Sequence, residues 1–242
     1  MANVDQNMRR IICLANSKKP GGRCLAGKLY SRGKFGRWMR PISSRMDEAL
    51  SESERQVGKN WMGVGVEPAL LDILEFSILS PRPTNHQVEN WLINPRMYML
   101  RMGQITPNEL LPVIDNPNSL WTIGSSSSRG SSDFVPEERI HEAVDSLYLI
   151  HPELLSLHVT TDEYMGRETR QVRGEFTYRG VIYNLKVTDP IVEAKYLATG
   201  DGIYKNVEAL LTISLAEKIF VPKYNHSAGY YKLIAGVIEF TK

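Results

Sequence analysis

The first segment with the composition of a ligand-binding loop is Gly22 to Lys28, in which two glycines separated by four residues precede a lysine. This spacing is that of the phosphate loop of nucleotide hydrolases. Leu29, however, stands where such a loop has the serine or threonine that holds Mg²⁺, and the flanking segments lack alternating strands and helices. We therefore do not expect a hydrolase. We interpret the segment as a glycine-rich turn whose backbone amides and cations attract an anion, the cations being Lys18, Lys19, Arg23 and Lys28.

A second candidate is the basic and aromatic segment formed by Arg37, Trp38 and Arg40. An aromatic ring between arginines can stack a base while the arginines hold phosphates, as in proteins that bind single strands. Trp38 is equally suited to a hydrophobic core, and both interpretations stay open. Tyr178 and Tyr183, which alternate on a predicted strand, are better interpreted as core residues. Base stacking is also open to Trp61, Trp91 and Trp121.

The distribution of charge supports an anionic partner for the beginning of the chain. Residues 1–40 contain ten basic residues and one acidic residue, whereas the rest of the chain contains 19 basic and 26 acidic residues. Such a split is typical of a protein whose basic part contacts phosphate. The alternative is that the basic segment pairs with acidic residues of the same chain. The nucleic-acid or anion-binding residues that we predict are Lys18, Lys19, Arg23, Lys28, Arg37, Trp38 and Arg40.

No catalytic or metal-binding pattern accompanies these residues. The two cysteines, Cys13 and Cys24, and the five histidines form no spacing that is typical of a zinc site, so we predict neither a metal nor a cofactor. The apolar neighbours of Cys13 favour a core thiol over a nucleophile. Because the beginning of the sequence has no apolar leader or membrane-spanning run, we expect a cytoplasmic protein with reduced thiols and no contact with a membrane. We predict a non-enzymatic protein and leave its oligomeric state open.

The hydrophobic pattern predicts a mainly β protein. Strands are expected over residues 10–15, 37–42, 70–79 and 87–93, and an exposed helix over residues 47–56. Residues 115–132 are rich in serine, glycine and proline, and we interpret them as a linker rather than a mobile loop. This predicts two domains, residues 1–130 with the basic loop and residues 136–242.

The clearest local pattern is a β-hairpin over residues 176–187. Apolar and polar residues alternate on either side of Arg179 and Gly180, a two-residue connection of the kind that hairpins favour. Together with strands over residues 154–160, 210–215 and 230–240, the hairpin gives about five strands, the number in a small barrel such as the OB-fold.

Four segments of the sequence resemble the bacterial dual OB domain family: residues 10–17, 21–27, 36–43 and 183–190. The resemblance spans nearly the whole chain. It implies two small OB-like β-barrel domains with short helices, and OB barrels commonly bind oligonucleotides. The resemblance supplies no catalytic residues.

These observations predict a nucleic-acid-binding module that is single-strand selective or insensitive to sequence. Two alternatives remain. One is a sensor or enzyme for a nucleotide or modified base, with its ligand in a cleft between the domains, and the other is a protein-interaction scaffold.

Overall fold

The computed structural model describes residues 7–45, 48–58, 65–164, 167–220 and 228–240. The chain divides into two compact units, Met1–Val113 and Ile114–Lys242. Each unit has its own hydrophobic core built on antiparallel strands. The prediction of a mainly β protein is confirmed.

In the described part of the chain, the first unit has six strands, five of which close a barrel. Its strands are β1 Met8–Lys19, β2 Gly22–Ser31, β3 Lys34–Ile42, β4 Asp72–Pro81, β5 Asn90–Ile93 and β6 Leu100–Gln104. They follow the order β1-β2-β3-β5-β4, and β4 pairs in turn with β1, which closes the barrel; β6 extends β4 at the outside. Only β3 and β5 run parallel. This connectivity is that of the five-stranded Greek-key barrel called the OB-fold.

The core of the first barrel follows from alternation along its strands. Ile11 and Cys13 of β1, Leu25 of β2 and Met39 of β3 are buried in one cluster with Leu74 of β4. The interpretation of Cys13 as a core thiol is therefore confirmed. Ile12 and Leu14 point the other way but are also buried, so part of the outer face is covered as well.

The second unit repeats the same connectivity. Its strands are β7 Phe134–Pro136, β8 Leu147–Ile150, β9 Glu153–Tyr164, β10 Arg167–Tyr178, β11 Val181–Val187, β12 Gly202–Tyr204, β13 Ala209–Phe220 and β14 Ala228–Glu239. They follow the order β12-β9-β10-β11-β14-β13-β8, and β11 and β14 run parallel. Only His151 and Pro152 separate β8 from β9, so these two strands act as one broken first strand that pairs with both β13 and β10. The ring thus closes as in the first barrel, and the prediction of two OB-like barrels is confirmed.

The predicted hairpin of the second barrel is present as β10 and β11. Phe176 pairs with Tyr183 and Tyr178 with Val181 across a turn in which Arg179 and Gly180 both have positive φ. Tyr178 and Tyr183 are buried in the core, as predicted.

Helices are few and short. Among the described residues they are α1 Glu52–Arg55, α2 Pro190–Thr199 and two 3₁₀ helices, Pro107–Val113 and Glu137–Glu142. In α2, Asp189 caps the first turn by accepting bonds from the amides of Ile191 and Val192, 3.0 and 3.3 Å away. The helix expected over residues 47–56 is reduced to α1, and part of that range lies outside the described residues. No helix in the described part of the chain is long and apolar enough to cross a membrane.

The interpretation of residues 115–132 as a linker is wrong. Leu120 and Trp121 are buried in the second core, and Ser127 donates to Asp133 from its amide at 2.6 Å and from its hydroxyl at 2.7 Å. The composition of the segment is that of a linker because its serines serve as local hydrogen-bond donors and acceptors. The two units divide at Val113 and Ile114, so the segment belongs to the second unit.

Candidate functional site

Three of the predicted cations lie at the hairpin between β1 and β2. Lys18 pairs with Arg23 and Lys19 with Gly22 across the turn at Gly21, which has φ of 82°. Lys18 is exposed, whereas Lys19 and Arg23 are half-buried. Arg45, which the sequence did not single out, donates to the carbonyl oxygen of Gly21 at 3.2 Å. This end of the barrel therefore carries four basic side chains.

The interpretation of Gly22 to Lys28 as a glycine-rich turn is wrong, because the turn consists of Pro20 and Gly21. Residues Gly22–Ser31 form strand β2, and its glycines are required by packing. A Cβ atom at Gly27 would lie 1.9 Å from the carbonyl oxygen of Ile12, and one at Gly22 would lie 2.2 Å from that of Leu50. Both glycines allow the backbone to approach another chain segment closely, which explains the phosphate-loop spacing without a phosphate.

Lys28 and Trp38 form a pair in the middle of the β2–β3 face. They are opposite each other in the strand register, and the ammonium of Lys28 lies 5.5 Å from the centroid of the Trp38 ring. Lys28 is buried and donates to the carbonyl oxygen of Val113 at 2.7 Å. Trp38 is half-buried, so part of its surface remains accessible. We therefore regard Lys28 as the support of the Trp38 ring rather than as a direct phosphate ligand.

A β-bulge brings two more aromatic residues to the side of Trp38. Tyr30 pairs with Phe35 and Lys28 pairs with Trp38, so two residues of β3, Gly36 and Arg37, lie opposite Leu29 alone. Strict alternation would place Phe35 and Trp38 on opposite faces of β3, but the extra residue returns both to one face. Leu29 packs toward the core. The outer face of β2 and β3 therefore carries a row of three half-buried aromatic residues, called here the aromatic row: Tyr30, Phe35 and Trp38.

Of the remaining predicted arginines, Arg37 is exposed and Arg40 is not. Arg37 lies in the bulge beside Trp38. Arg40 is buried, and its guanidinium lies 2.9 Å from the carboxylate of Glu89, with both side chains 5% exposed. A phosphate would have to displace Glu89 to reach Arg40, so we leave Arg40 out of the proposed site.

At the far end of the aromatic row, the barrel has a cavity of about 690 Å³. It is lined by basic and aromatic side chains, none of which was predicted as a site residue from the sequence: Arg9, Arg10, Tyr30, Arg32, Lys34 and Phe35. The turn at Arg32 and Gly33, with φ of 50° and 76°, repeats the Arg-Gly turn of the second barrel. The same dipeptide that identified the hairpin at Arg179 and Gly180 was therefore the available signal for this one.

The corresponding face of the second barrel is contacted at one edge by the segment that precedes it. Ser131 and Asn184 exchange backbone hydrogen bonds of 3.0 and 3.4 Å, which places the segment along β11. Arg173 of β10 lies below it and donates to Asp133 at 3.2 Å and to the carbonyl oxygen of Asn184 at 2.7 Å. The segment thus covers Arg173, whereas Glu175, Ile182 and Lys186 of the same face are exposed.

The second barrel also buries a lysine beneath the same segment. Lys232 is 1% exposed, donates to the carbonyl oxygen of Thr122 at 2.6 Å and lies 5.3 Å from the centroid of the Tyr183 ring. Burial of its ammonium lowers the pKa of Lys232 to about 7, against the opposing attraction of Asp133. Lys232 therefore belongs to the interior of the barrel and not to an exposed surface.

The other candidate aromatic residues do not join the aromatic row. Trp91 packs against the first core, and Trp121, Tyr178 and Tyr183 are buried in the second. Trp61 lies outside the described residues. Among the residues that the structure describes, no group of three or more histidine, cysteine, aspartate or glutamate side chains could hold a metal ion.

The family model described as the dual OB-containing domain matches residues 9–237, which is nearly the whole chain. No curated protein and no solved structure matches the chain.

Proposed function

Because this chain belongs to the dual OB-containing domain family, we propose that it binds single-stranded nucleic acid without catalysing a reaction, on the outer face of β2 and β3. OB barrels use the face of their second and third strands, with the adjoining loops, to bind oligonucleotides. In the first barrel these strands are β2 and β3, and the loop between the first and second strands is the basic hairpin at Gly21.

The observation that carries the proposal is the aromatic row with cations on both sides. Lys18, Lys19 and Arg23 lie at one end of β2, and Arg32 and Lys34 lie at the other end, at the turn to β3. Arg32 lies nine positions after Arg23 in the sequence, which corresponds to roughly 30 Å along a strand. A single OB barrel binds about 4–16 nucleotides, so one oligonucleotide can reach both groups of cations.

The chemistry of this face favours single strands over duplexes. Aromatic rings stack unpaired bases at about 1–3 kcal/mol per base, and every base has a π-face to offer. The cations contact phosphates, which carry no sequence information. Stacking and phosphate contacts together support binding that depends little on sequence and weakens with salt.

The test is a fluorescence anisotropy titration of the full chain with a labelled single-stranded oligonucleotide that has a 5′-hydroxyl end. We expect Trp38→Ala to weaken binding by about 1–3 kcal/mol because one stacking platform is lost. Arg96→Ala is the matched control, since Arg96 is an exposed arginine of the same barrel that lies outside the proposed site. A duplex of the same sequence should bind more weakly than the single strand.

Two outcomes would contradict the proposal. One is the absence of oligonucleotide binding at low salt. The other is equal affinity in the wild type and in a Trp38→Ala variant whose unfolding transition shows that it is folded.

A further inference from the structure

The cavity of the first barrel lies where β1 and β2 separate. The pairing of β1 with β2 begins at Ile11 and Leu29, although β1 starts at Met8 and β2 continues to Ser31. Over Met8–Arg10, β1 pairs with β4 on its other edge but not with β2. The two strand ends therefore diverge, and the space between them is the cavity of about 690 Å³. This volume is within the range of roughly 300–1,000 Å³ that is typical of small-molecule sites.

The cavity is strongly cationic. Arg9, Arg10, Arg32 and Lys34 contribute to its lining, and Glu75 is its one carboxylate. The guanidinium of Arg10 lies 2.5 Å from Glu75, which compensates that negative charge. Arg32 and Lys34 are exposed and form no ion pair with any residue in the described part of the chain. An anion that enters the cavity would therefore meet cations that do not have to be released from a carboxylate.

One wall of the cavity is aromatic. The rings of Tyr30 and Phe35 lie edge to face, with centroids 5.2 Å apart and an angle of 64° between their planes. Both residues line the cavity and both are half-buried. An edge-to-face pair holds its rings in fixed orientations and leaves the face of one ring available to a planar ligand.

The second barrel shows what the equivalent space can hold. There the first strand is β8, and residues 115–120 bridge it to the end of the β10–β11 hairpin. Asp115 exchanges hydrogen bonds of 2.7 and 2.8 Å with the backbone of Leu149, and the hydroxyl of Tyr178 donates to the carbonyl oxygen of Pro117 at 2.9 Å. In the second barrel this opening is therefore occupied by a segment of the chain itself.

The arginines in the two hairpin turns show the same difference between a filled and an open space. Arg179, in the turn between β10 and β11, donates to the side-chain oxygen of Asn116 in the occupying segment. Arg32 has the same position and the same positive φ in the turn between β2 and β3, and it lines the cavity. By this correspondence, Arg32 is placed to contact a molecule bound in the cavity. None of the described residues of the first barrel fills the space that residues 115–120 fill in the second.

We propose that this cavity binds one nucleoside monophosphate unit, with the base against Tyr30 and Phe35 and the phosphate beside Arg32 and Lys34. The proposal deepens the proposed function and rests on it, since the unit can be the phosphorylated end of a bound strand as well as a free nucleotide. The cations supply charge-assisted hydrogen bonds to a phosphate, and the aromatic pair supplies the stacking surface. An acidic peptide would use the cations but would leave the aromatic wall without a planar partner.

The first experiment is isothermal titration calorimetry of the full chain with adenosine monophosphate, adenosine and inorganic phosphate at low salt. We expect adenosine monophosphate to bind more tightly than either part alone. Arg32→Ala should weaken its binding about tenfold, the share of one charge-assisted hydrogen bond, whereas Arg96→Ala should leave it unchanged. Equal binding by wild type and Arg32→Ala would overturn the proposal. So would binding of a peptide with the sequence of residues 114–121 in the absence of nucleotide binding.

A second experiment separates this proposal from the proposed function. The full chain is titrated with one single-stranded oligonucleotide that carries either a 5′-phosphate or a 5′-hydroxyl end, and then with the same sequence phosphorylated at its 3′ end. We expect at least one phosphorylated end to bind about tenfold more tightly than the unphosphorylated strand, and Arg32→Ala to abolish this difference. If all strands bind equally and adenosine monophosphate does not bind, the cavity proposal fails while the proposed function stands. If adenosine monophosphate binds but no strand does, the proposed function fails.

Discussion

The two barrels of this chain share one connectivity but differ in the side chains on the face of their second and third strands and in what fills the opening at the end of that face. In the first barrel, the face of β2 and β3 carries the aromatic row and borders an open cationic cavity. In the second, residues 126–133 contact the face of β10 and β11 only at Arg173 and Asn184, and residues 115–120 fill the opening at its end. Equivalent openings are thus a candidate binding site in one barrel and are filled by the chain itself in the other.

The difference shows how charge is used in each barrel. On β10 the guanidinium of Arg173 is enclosed by Asp133 and Asn184, and the ammonium of Lys232 is buried below Thr122. On β3 and its turn, Arg32, Lys34 and Arg37 are exposed. Buried cations that are paired within the protein stabilise one arrangement of the chain, whereas exposed cations on a face without a covering segment attract anions.

The largest effect that distinguishes the barrels should come from their tryptophans. Trp121 is 7% exposed, donates to the carbonyl oxygen of Asp145 at 2.6 Å and contacts the ring of Tyr148 at 5.0 Å between centroids. Trp121→Ala should lower the free energy of unfolding by about 3–5 kcal/mol, measured with denaturant. Trp38→Ala in the first barrel should cost about 1 kcal/mol or less, because its ring is half-buried. Equal losses would remove the distinction between packing and binding surfaces.

The buried ion pair of the first barrel should show a similar loss. Arg40→Ala leaves the carboxylate of Glu89 buried without its partner, and we expect the free energy of unfolding to fall by about 3–5 kcal/mol. Arg37→Ala, three residues away and exposed, should change it by about 0.5 kcal/mol or less. Arg40→Met combined with Glu89→Leu should restore most of the loss. An Arg40→Ala variant that unfolds like the wild type but binds oligonucleotide poorly would return Arg40 to the site.

The buried lysine of the second barrel predicts an unusual dependence of stability on pH. The pKa of Lys232 is lowered to about 7 in the folded protein by burial, whereas an unfolded lysine has a pKa of about 10.4. Between these values the unfolded state binds the additional proton, so stability should rise with pH by up to about 1.4 kcal/mol per pH unit.

Lys232→Met should remove this rise between pH 7 and pH 9, measured by denaturant unfolding at each pH. Lys186→Met is the matched control, since Lys186 is an exposed lysine of the same barrel and its replacement should leave the rise intact. The account of Lys232 is contradicted if both variants keep the same pH dependence as the wild type.

The smallest expected effect concerns single exposed charges. Arg37→Ala should reduce the slope of the logarithm of the binding constant against the logarithm of salt concentration by about 0.7, the share of one phosphate on a single strand. Lys186→Ala in the second barrel should leave the slope unchanged. The opposite result would move the binding surface to the second barrel.

Much of the fold could be predicted from the sequence because its strands have a regular period. The hairpin at Arg179 and Gly180 was recognisable from alternation and turn type, and the core positions of Tyr178 and Tyr183 followed from it. The serine-rich segment was misinterpreted because composition does not report that Asp133 and Arg173 organise it. Strand β2 was missed because its two glycines, which allow close backbone approach, have the spacing of a phosphate loop.

The site was predictable only in part, for two physical reasons. The bulge opposite Leu29 changes which residues share a face, so the aromatic row of Tyr30, Phe35 and Trp38 cannot be read from strict alternation. Burial also decides whether an arginine is available to a ligand or forms an ion pair inside the protein. Arg37 is exposed and Arg40 is paired with Glu89 beside the β3–β5 contact, but the local sequence does not distinguish the two arginines.

In the proposed function, nucleic acid contacts the aromatic row of the first barrel. The most direct measurement is photocrosslinking of the full chain to a single-stranded oligonucleotide that contains 5-iodouridine, followed by identification of the crosslinked residues by mass spectrometry. The account predicts crosslinks at Tyr30, Phe35 or Trp38, and their loss when unlabelled oligonucleotide is added in excess. Crosslinks that fall only within residues 114–242 would contradict it.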